Sequence, residues 1–526
     1  MADWFTVIVV LLLVIALLIT NIYVLAYFCH PDDKGSCIGW VMKIIVIIGL
    51  TLSWIQVLLL PLDVSNHRTF GGGLNMRVFW YTIYILTIIY ILVVSPIASS
   101  YYEAEYDWSC REKICHSLCW FFIYFIFFLL ITIILYASIG KADIPIQRIS
   151  CDYLNYQNSY IEIDTSNNTL NYCEKAEGDI QIKVNFLIYA MAVLLFVSWI
   201  LFALFGGIGL AALPIDLFSS FCNRPKHMKS REIDKRKDIL VKNIEELRYL
   251  GKEIKTLESK GDNRGFKLSS KRRNYDRKYN QFRAGYMLVD REFKIVNAEN
   301  DARKKGNCVI LLYYLLIPLG VLAAICTILW IIQFSCSYFA RKNGRPGYPF
   351  LARMYIFFND NDLAFLSFLI FSILSLYLLL CVIKGNFKFG VRILCCWEIF
   401  PMKKDGTYMN AFLFNVTLIL LASCSITQFC ADCLEDYVAF TDVNIIFNVQ
   451  IRYLKFFKYF YKYHIFQYIL FIIFVISLLY LLFRPSDNIN RVLKNSKNIS
   501  NSLGNDSNKS NNTNSGMNNT LPPLGL

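Results

Sequence analysis

The stretch Ser230-Arg231-Glu232-Ile233-Asp234-Lys235-Arg236-Lys237-Asp238-Ile239-Leu240-Val241-Lys242 lies inside a polar island, residues 214–306, between two long apolar regions. The island holds 25 Lys+Arg and 14 Asp+Glu, a net of +11 against +14 for the whole 526-residue chain. A segment this basic is hard to translocate and is drawn to the anionic cytosolic leaflet, so its place is the cytosol. That placement sets the direction of every apolar span on either side. Within the island Ile233, Leu240, Leu247 and Ile254 recur every seven residues; Leu250 and Leu257 take the intermediate position and Ile244 lies beside the stripe. The pattern predicts an amphipathic helix, a turn near 261–265 and a second charged helix over about 268–296, packed as a hairpin or coiled-coil-like pair.

Outward from the island, the composition is that of a membrane protein: 56% hydrophobic and 16% aromatic. Windows of about 20 residues with almost no charge are long enough to cross the hydrocarbon. They fall at about 4–28, 38–60, 78–100, 119–140 and 184–213 before the island, and at 308–334, 363–383, 410–429 and 465–483 after it. The expected fold is an all-α polytopic membrane protein. It has about nine transmembrane helices and a helical, coiled-coil-like cytoplasmic insertion between spans five and six. Residues 1–213 form the first membrane part, 214–306 the basic module, 307–484 the second membrane part, and 485–526 an Asn/Ser-rich cytosolic tail read as disordered. The first span has no basic residue before it and no small-residue cleavage site after it, so it is retained and the N-terminus faces the lumen or exterior. This threading puts 38 of the 53 Lys+Arg in the cytosol and 14 in the lumen, with Lys43 inside span two.

Several polar positions stand out against this background. Pro61 predicts a stop to the second span. Just beyond it, Asp63 and Asn66 are either interfacial cap residues or inward-facing groups of functional interest. The eighth span is unusually polar, with Asn410, Asn415, Thr417, Ser423, Ser425, Thr427 and Gln428. Such residues hydrogen-bond neighbouring helices or line a polar path. The lumenal loop 141–183 holds the sequon Asn167-Asn168-Thr169, a glycosylation candidate, and two cysteines, Cys151 and Cys173, that can pair in an oxidising lumen. Gly206-Gly207-Ile208-Gly209 predicts a close helix crossing, not a phosphate loop. Residues 430–463 are expected as an interfacial amphipathic helix. Cys430-Ala431-Asp432-Cys433 is a lone Cys-x-x-Cys with no second pair to suggest zinc.

Nothing in the sequence assembles a catalytic site. The five histidines have no metal-pair spacing, and nucleophile-elbow, metalloprotease and nucleotide-loop motifs are absent. No enzyme activity, catalytic residue, metal site or cofactor is expected. The basic charge beside spans points to membrane lipid or a cytosolic partner, not nucleic acid. Tyr279-Asn280-Gln281-Phe282 and Tyr286-Met287-Leu288-Val289 fit the pattern bound by sorting adaptors, which need it extended.

Two groups of segments carry a resemblance. Leu60-Pro61-Leu62-Asp63-Val64-Ser65-Asn66, Pro96-Ile97-Ala98 and Tyr101-Tyr102-Glu103, with the five-and-four span layout, resemble the limb-region membrane protein family. Lys384-Gly385-Asn386-Phe387-Lys388-Phe389-Gly390, Pro401-Met402-Lys403, the run from Gly406-Thr407-Tyr408-Met409 through Asn410-Ala411-Phe412-Leu413-Phe414-Asn415, and Gln428-Phe429-Cys430 look most like its lysosomal cobalamin transport branch. The resemblance implies a multi-pass lysosomal membrane protein that moves cobalamin, the cobalt-bearing cargo, from lumen to cytosol, as transporter or as escort of an ABC transporter. The sibling branch implies the alternative: a plasma-membrane lipocalin receptor or endocytic scaffold without transport. No residue-level cobalamin site comes with the resemblance.

Overall fold

The computed structural model describes residues 4–30, 37–70, 75–104, 108–151, 173–222, 224, 230–262, 269–305, 307–339, 348–361, 363–389, 391–393, 397–399, 402, 406–439 and 441–483. Asn167, Gly71–Gly73, Lys403, Lys404 and the tail 485–526 lie outside them. Among the described residues, nine helices are long and apolar enough to cross a membrane. The chain runs α1 (Trp4–Phe28), α2 (Cys37–Phe70), α3 (Met76–Ile89), α4 (Ser95–Glu103) and α5 (Cys110–Ile139), with a π-helical turn Tyr90–Val94 joining α3 to α4 into one span. Strands β1 (Lys141–Cys151) and β2 (Cys173–Lys183) follow, then α6 (Phe186–Cys222), α7 (Ser230–Asp262), α8 (Ser269–Lys305) and α9 (Asn307–Phe334). After α9 come a π turn (Ser335–Phe339), α10 (Phe350–Asp360), α11 (Ala364–Phe389), a small ribbon β3 (Val391–Ile393) and β4 (Trp397–Ile399), and α12 (Met409–Cys433). The short elements α13 (Glu435–Val438), α14 (Asp442–Asn444), a π turn (Ile445–Ile451) and α15 (Phe457–Lys462) lead to α16 (Ile465–Phe483).

Two compact units divide the described residues, one drawn from Met1–Asp216 with Gly320–Leu482, the other from Leu217–Leu319. In the first, α12 is the central rod: 22 of its 25 residues are buried. At the opposite extreme, α5 buries only Ser117 and Thr132. Close helix approach is built from glycine. A Cβ on Gly209 of α6 would overlap the Cys381 carbonyl oxygen of α11, and one on Gly385 of α11 would overlap the Phe205 carbonyl oxygen of α6. The α6–α11 crossing therefore admits only backbone at these two points, the use expected for the glycine cluster.

The contacts sort the span ends onto two sides. On one, Cys29 bridges Thr407, and Asp216 holds Lys384 and Lys388 at 2.9 and 2.5 Å. On the other, Asp143 N donates to the Tyr453 carbonyl at 2.9 Å, and Asp179 pairs with Lys458 at 3.3 Å. This is the alternation of ends that successive membrane spans require.

In the second unit α7 and α8 run antiparallel. Arg236 lies 3.6 Å from Glu299, Lys278 is 2.8 Å from Glu253, and Leu247 packs over Gly285. Ile233, Leu240 and Ile254 of the seven-residue stripe are buried, whereas Ile244 is exposed.

The structure corrects four expectations. Helix α2 does not stop at Pro61 but continues to Phe70. A proline costs about 3 kcal/mol in a helix interior, and here continuing the helix seats the Asp63 carboxylate on two donors described below. Helix α6 likewise runs past residue 213, through Pro214, to Cys222. The segment 141–183, expected only as a loop, contains an antiparallel hairpin, with Lys141 opposite Lys183 and Cys151 opposite Cys173. Residues 430–463 are not one interfacial helix: their apolar side chains, among them Val443, Phe447, Ile451, Leu454 and Phe457, are buried in the bundle. A single amphipathic stripe could not have buried residues on that many bearings.

The hairpin register yields a test. Directly opposed residues of an antiparallel pair stand roughly 4.5–5.5 Å apart at Cα, within the span of a disulfide. Protein cleaved between 152 and 172 is expected to stay as one species on a non-reducing gel and to separate after reduction; Cys173→Ser should separate without reductant.

Candidate functional site

Polar side chains within a membrane bundle are costly unless partnered, and the row along α12 is partnered almost residue by residue. Ser99 Oγ donates to Asn410 Oδ1 at 2.6 Å, and Asn410 Nδ2 donates to the Glu103 carboxylate. Asn386 Nδ2 of α11 donates to Asn415 Oδ1 at 3.1 Å, while Asn415 Nδ2 turns back to the Ala411 carbonyl at 2.7 Å. The Ser95 and Thr417 hydroxyls are 2.7 Å apart. Ser423 Oγ donates to Gln56 Oε1 of α2 at 2.9 Å, and Gln56 Nε2 reaches Cys424 Sγ at 3.1 Å. Ser425 N donates to Ser198 Oγ of α6 at 3.0 Å. The Tyr84 and Thr427 hydroxyls are 3.3 Å apart, and Trp199 Nε1 donates to Gln428 Oε1 at 2.5 Å. One helix thus bonds to α2, α3, α4, α6 and α11. Interhelical bonds of this kind contribute about 0.6 kcal/mol each on average in membranes, but they also fix rotation and depth.

The end of α12 carries a charge. Asp432 accepts from the Tyr338 hydroxyl at 2.7 Å, Arg452 Nη1 at 3.1 Å and Gln467 Nε2 at 3.4 Å, with His464 Nδ1 3.7 Å away. The side chains of Asp432 and Arg452 are only 7% and 18% exposed, so the pair is nearly dry. Burial works against the Arg452 cation, but the Asp432 and Glu435 carboxylates outweigh it and raise its pKa. His464 is the chain's one described non-glycine residue at positive φ, 51°, which turns the backbone from α15 into α16 beside this cluster.

A second buried carboxylate ties other elements. Asp63 Oδ2 accepts from Trp80 Nε1 of α3 at 2.8 Å and from Val443 N at 3.2 Å. Asn66 is buried three residues further along α2. Of the sequence candidates, Asn410, Asn415 and Gln428 therefore share one rod but hold different helices, while Asp63 ties α2 to α3 and α14. Of the five, Gln428 alone borders one of two small gaps among the described residues. That gap, about 10 Å³, is lined by Trp199, Gln428, Asp432, Asn448, Arg452, Tyr461 and Gln467, room for roughly one water. A second of similar size is lined by apolar residues including Met191, Leu194 and Phe447. Small-molecule sites need about 300–1,000 Å³. Among the described residues, no group of three or more His, Cys, Asp or Glu is placed to hold a metal ion.

Sequence reasoning missed Asp432, Arg452, Gln56, Asn386, Ser198 and Trp199. Asp432 lay between two cysteines that drew attention to metal chemistry. The cue was its position, one acidic residue at the end of an otherwise uncharged span, with a lone Arg452 twenty residues on.

Residues 6–285 match the LMBR1-like membrane protein family. The chain belongs to that family. A LIMR family protein of Dictyostelium discoideum is 33% identical over 487 residues, 86% of this chain and 93% of that protein. A LIMR family protein of Arabidopsis thaliana is 30% identical over 478 residues, 85% and 90% of the two chains. A probable lysosomal cobalamin transporter of Dictyostelium discoideum is 27% identical over 249 residues, 44% of this chain and 41% of that one. No solved structure matches. For this LMBR1-like chain the family thus fixes a multi-pass membrane protein, and the bonds along α12 fix how its spans are held.

Removing one partner of a nearly dry ion pair costs about 3–5 kcal/mol. Asp432→Asn is expected to lower the unfolding temperature in detergent sharply, and Arg452→Ala on that background to recover part of the loss. A double-mutant cycle in which the two losses simply add would show the pair to be idle.

Proposed function

We propose that this protein is a lysosomal membrane escort that supports export of cobalamin by holding an ABC transporter, and is not itself the conduit. The tightly bonded interior is the observation that carries the reading. Among the described residues, the polar groups that a path would need are engaged between helices, and the two gaps described above are about 10 Å³ each against the several hundred a ligand requires. The partial likeness to a probable lysosomal cobalamin transporter supports the cargo and the organelle. The antiparallel pair α7 and α8, within a segment of net +11, supports a cytosolic docking surface for a partner or for anionic lipid. The adaptor alternative draws less support: Tyr279 and Tyr286 are exposed, yet both sit in the helical backbone of α8, where adaptor-type extended recognition is denied.

Vesicles containing this protein alone are expected to release loaded cobalamin no faster than empty vesicles. Release above that background would overturn the escort reading. Deleting residues 231–300 is expected to reduce co-purification of the ABC transporter to background while the spans still insert; retained co-purification would remove the module from the partner interface.

A further inference from the structure

Two sets stand out among the described cysteines. Cys326, Cys381, Cys424, Cys430 and Cys433 are buried among the spans, where a small apolar side chain packs well. Packing does not account for Cys110, Cys115 and Cys119, all free and all exposed, within ten residues at the start of α5. The helix is started there by a capping box: Ser109 Oγ accepts from Glu112 N and Glu112 Oε2 accepts from Ser109 N at 2.8 Å. Its first two turns carry Arg111, Glu112, Lys113 and His116, and from Trp120 to Ile139 no charged residue follows. Those last 20 residues rise about 30 Å, the thickness of the hydrocarbon. Trp120, whose Nε1 donates to His116 Nε2 at 3.0 Å, marks the boundary as interfacial tryptophans do. Cys119 therefore stands at the hydrocarbon edge, Cys115 about 6 Å above it and Cys110 about 13.5 Å above it.

We propose that Cys110, Cys115 and Cys119 form a site of S-acylation by long-chain acyl groups. Juxtamembrane cysteines of this placement are where such chains attach. The cytosolic side, where acyl-CoA is supplied, follows from the threading that puts residues 101–118 with the basic module. In the step, the cysteine sulfur attacks the carbonyl carbon of a long-chain acyl-CoA thioester. A new carbon–sulfur bond forms, the bond to the sulfur of coenzyme A breaks, and coenzyme A leaves with the proton that the cysteine gives up. Arg111 and Lys113 favour the anionic leaflet in which the acyl chain must lie. The modification has a mechanical use here. Helix α5 buries only Ser117 and Thr132, and its described hydrogen bonds to the bundle include Ser117 Oγ on the Ile97 carbonyl at 2.6 Å and the Tyr136 hydroxyl on the Val184 carbonyl at 3.0 Å. An acyl chain beside it, worth about 0.8 kcal/mol per buried CH₂, pins the cytosolic end of the least-packed span to the leaflet.

The full-length chain, expressed in eukaryotic cells, is blocked at free thiols, treated with hydroxylamine and tagged with a maleimide polymer that adds a fixed mass per released thiol. The wild type is expected to show hydroxylamine-dependent mass steps, one fewer in each of Cys110→Ser, Cys115→Ser and Cys119→Ser that bears a chain, and none in the triple variant. Absence of any step in the wild type would overturn the proposal without reference to a variant. Steps that persist undiminished in the triple variant, inserted to the wild-type level, would move the site elsewhere and also overturn it.

Discussion

A hydrogen-bonding group in hydrocarbon has no water to fall back on, so its partner must come from the protein. That constraint organises this molecule around α12. Asn410, Asn415, Thr417, Ser423, Ser425, Thr427 and Gln428 bear in several directions, and each direction holds a different neighbouring helix. Apolar side chains alone would let these helices slide and rotate, because lipid tails are as good a solvent for leucine as another helix is. The polar row removes that freedom. The Asp432–Arg452 pair and the bond from Val443 N to Asp63 do the same for the short elements that cap the bundle.

Much of this was legible in the sequence, and the limits have physical causes. The first and last spans are read to the residue, because both are uninterrupted apolar runs bounded by polar residues. The polarity of the eighth span was visible, but not its purpose: the same residue types serve packing or a path, and only their partners distinguish the two. Those partners, such as Gln56 and Asn386, lie 367 and 29 residues away in the chain. Pro61 misled because a proline's local cost is fixed while the compensation, here the donors reaching Asp63, is tertiary. The hairpin after α5 was hidden because its strands are separated by the 21 residues between Cys151 and Cys173, far beyond a tight turn.

The charged pair α7 and α8 obeys different rules. Its helices are apolar on one stripe only, so Ile233, Leu240 and Ile254 meet the partner helix while charge covers the remainder. In water that stripe is driven together by the hydrophobic effect; in the spans, geometry and hydrogen bonds take over. The chain therefore pairs a membrane part bonded helix to helix along α12 with a charged helical pair, the two features on which the proposed escort role rests.

The central claim is that the polar face of α12 is sealed between helices and never meets water. Its native thiols report on this directly. Cys424 and Cys430 are buried in the rod, whereas Cys222 is exposed. In protein reconstituted into nanodiscs, mass spectrometry after treatment with a small water-soluble maleimide should find Cys222 modified and Cys424 and Cys430 untouched until the protein is unfolded. Modification of Cys424 and Cys430 in the folded protein at the rate of Cys222 would mean that water runs along α12, and the sealed bundle would be contradicted.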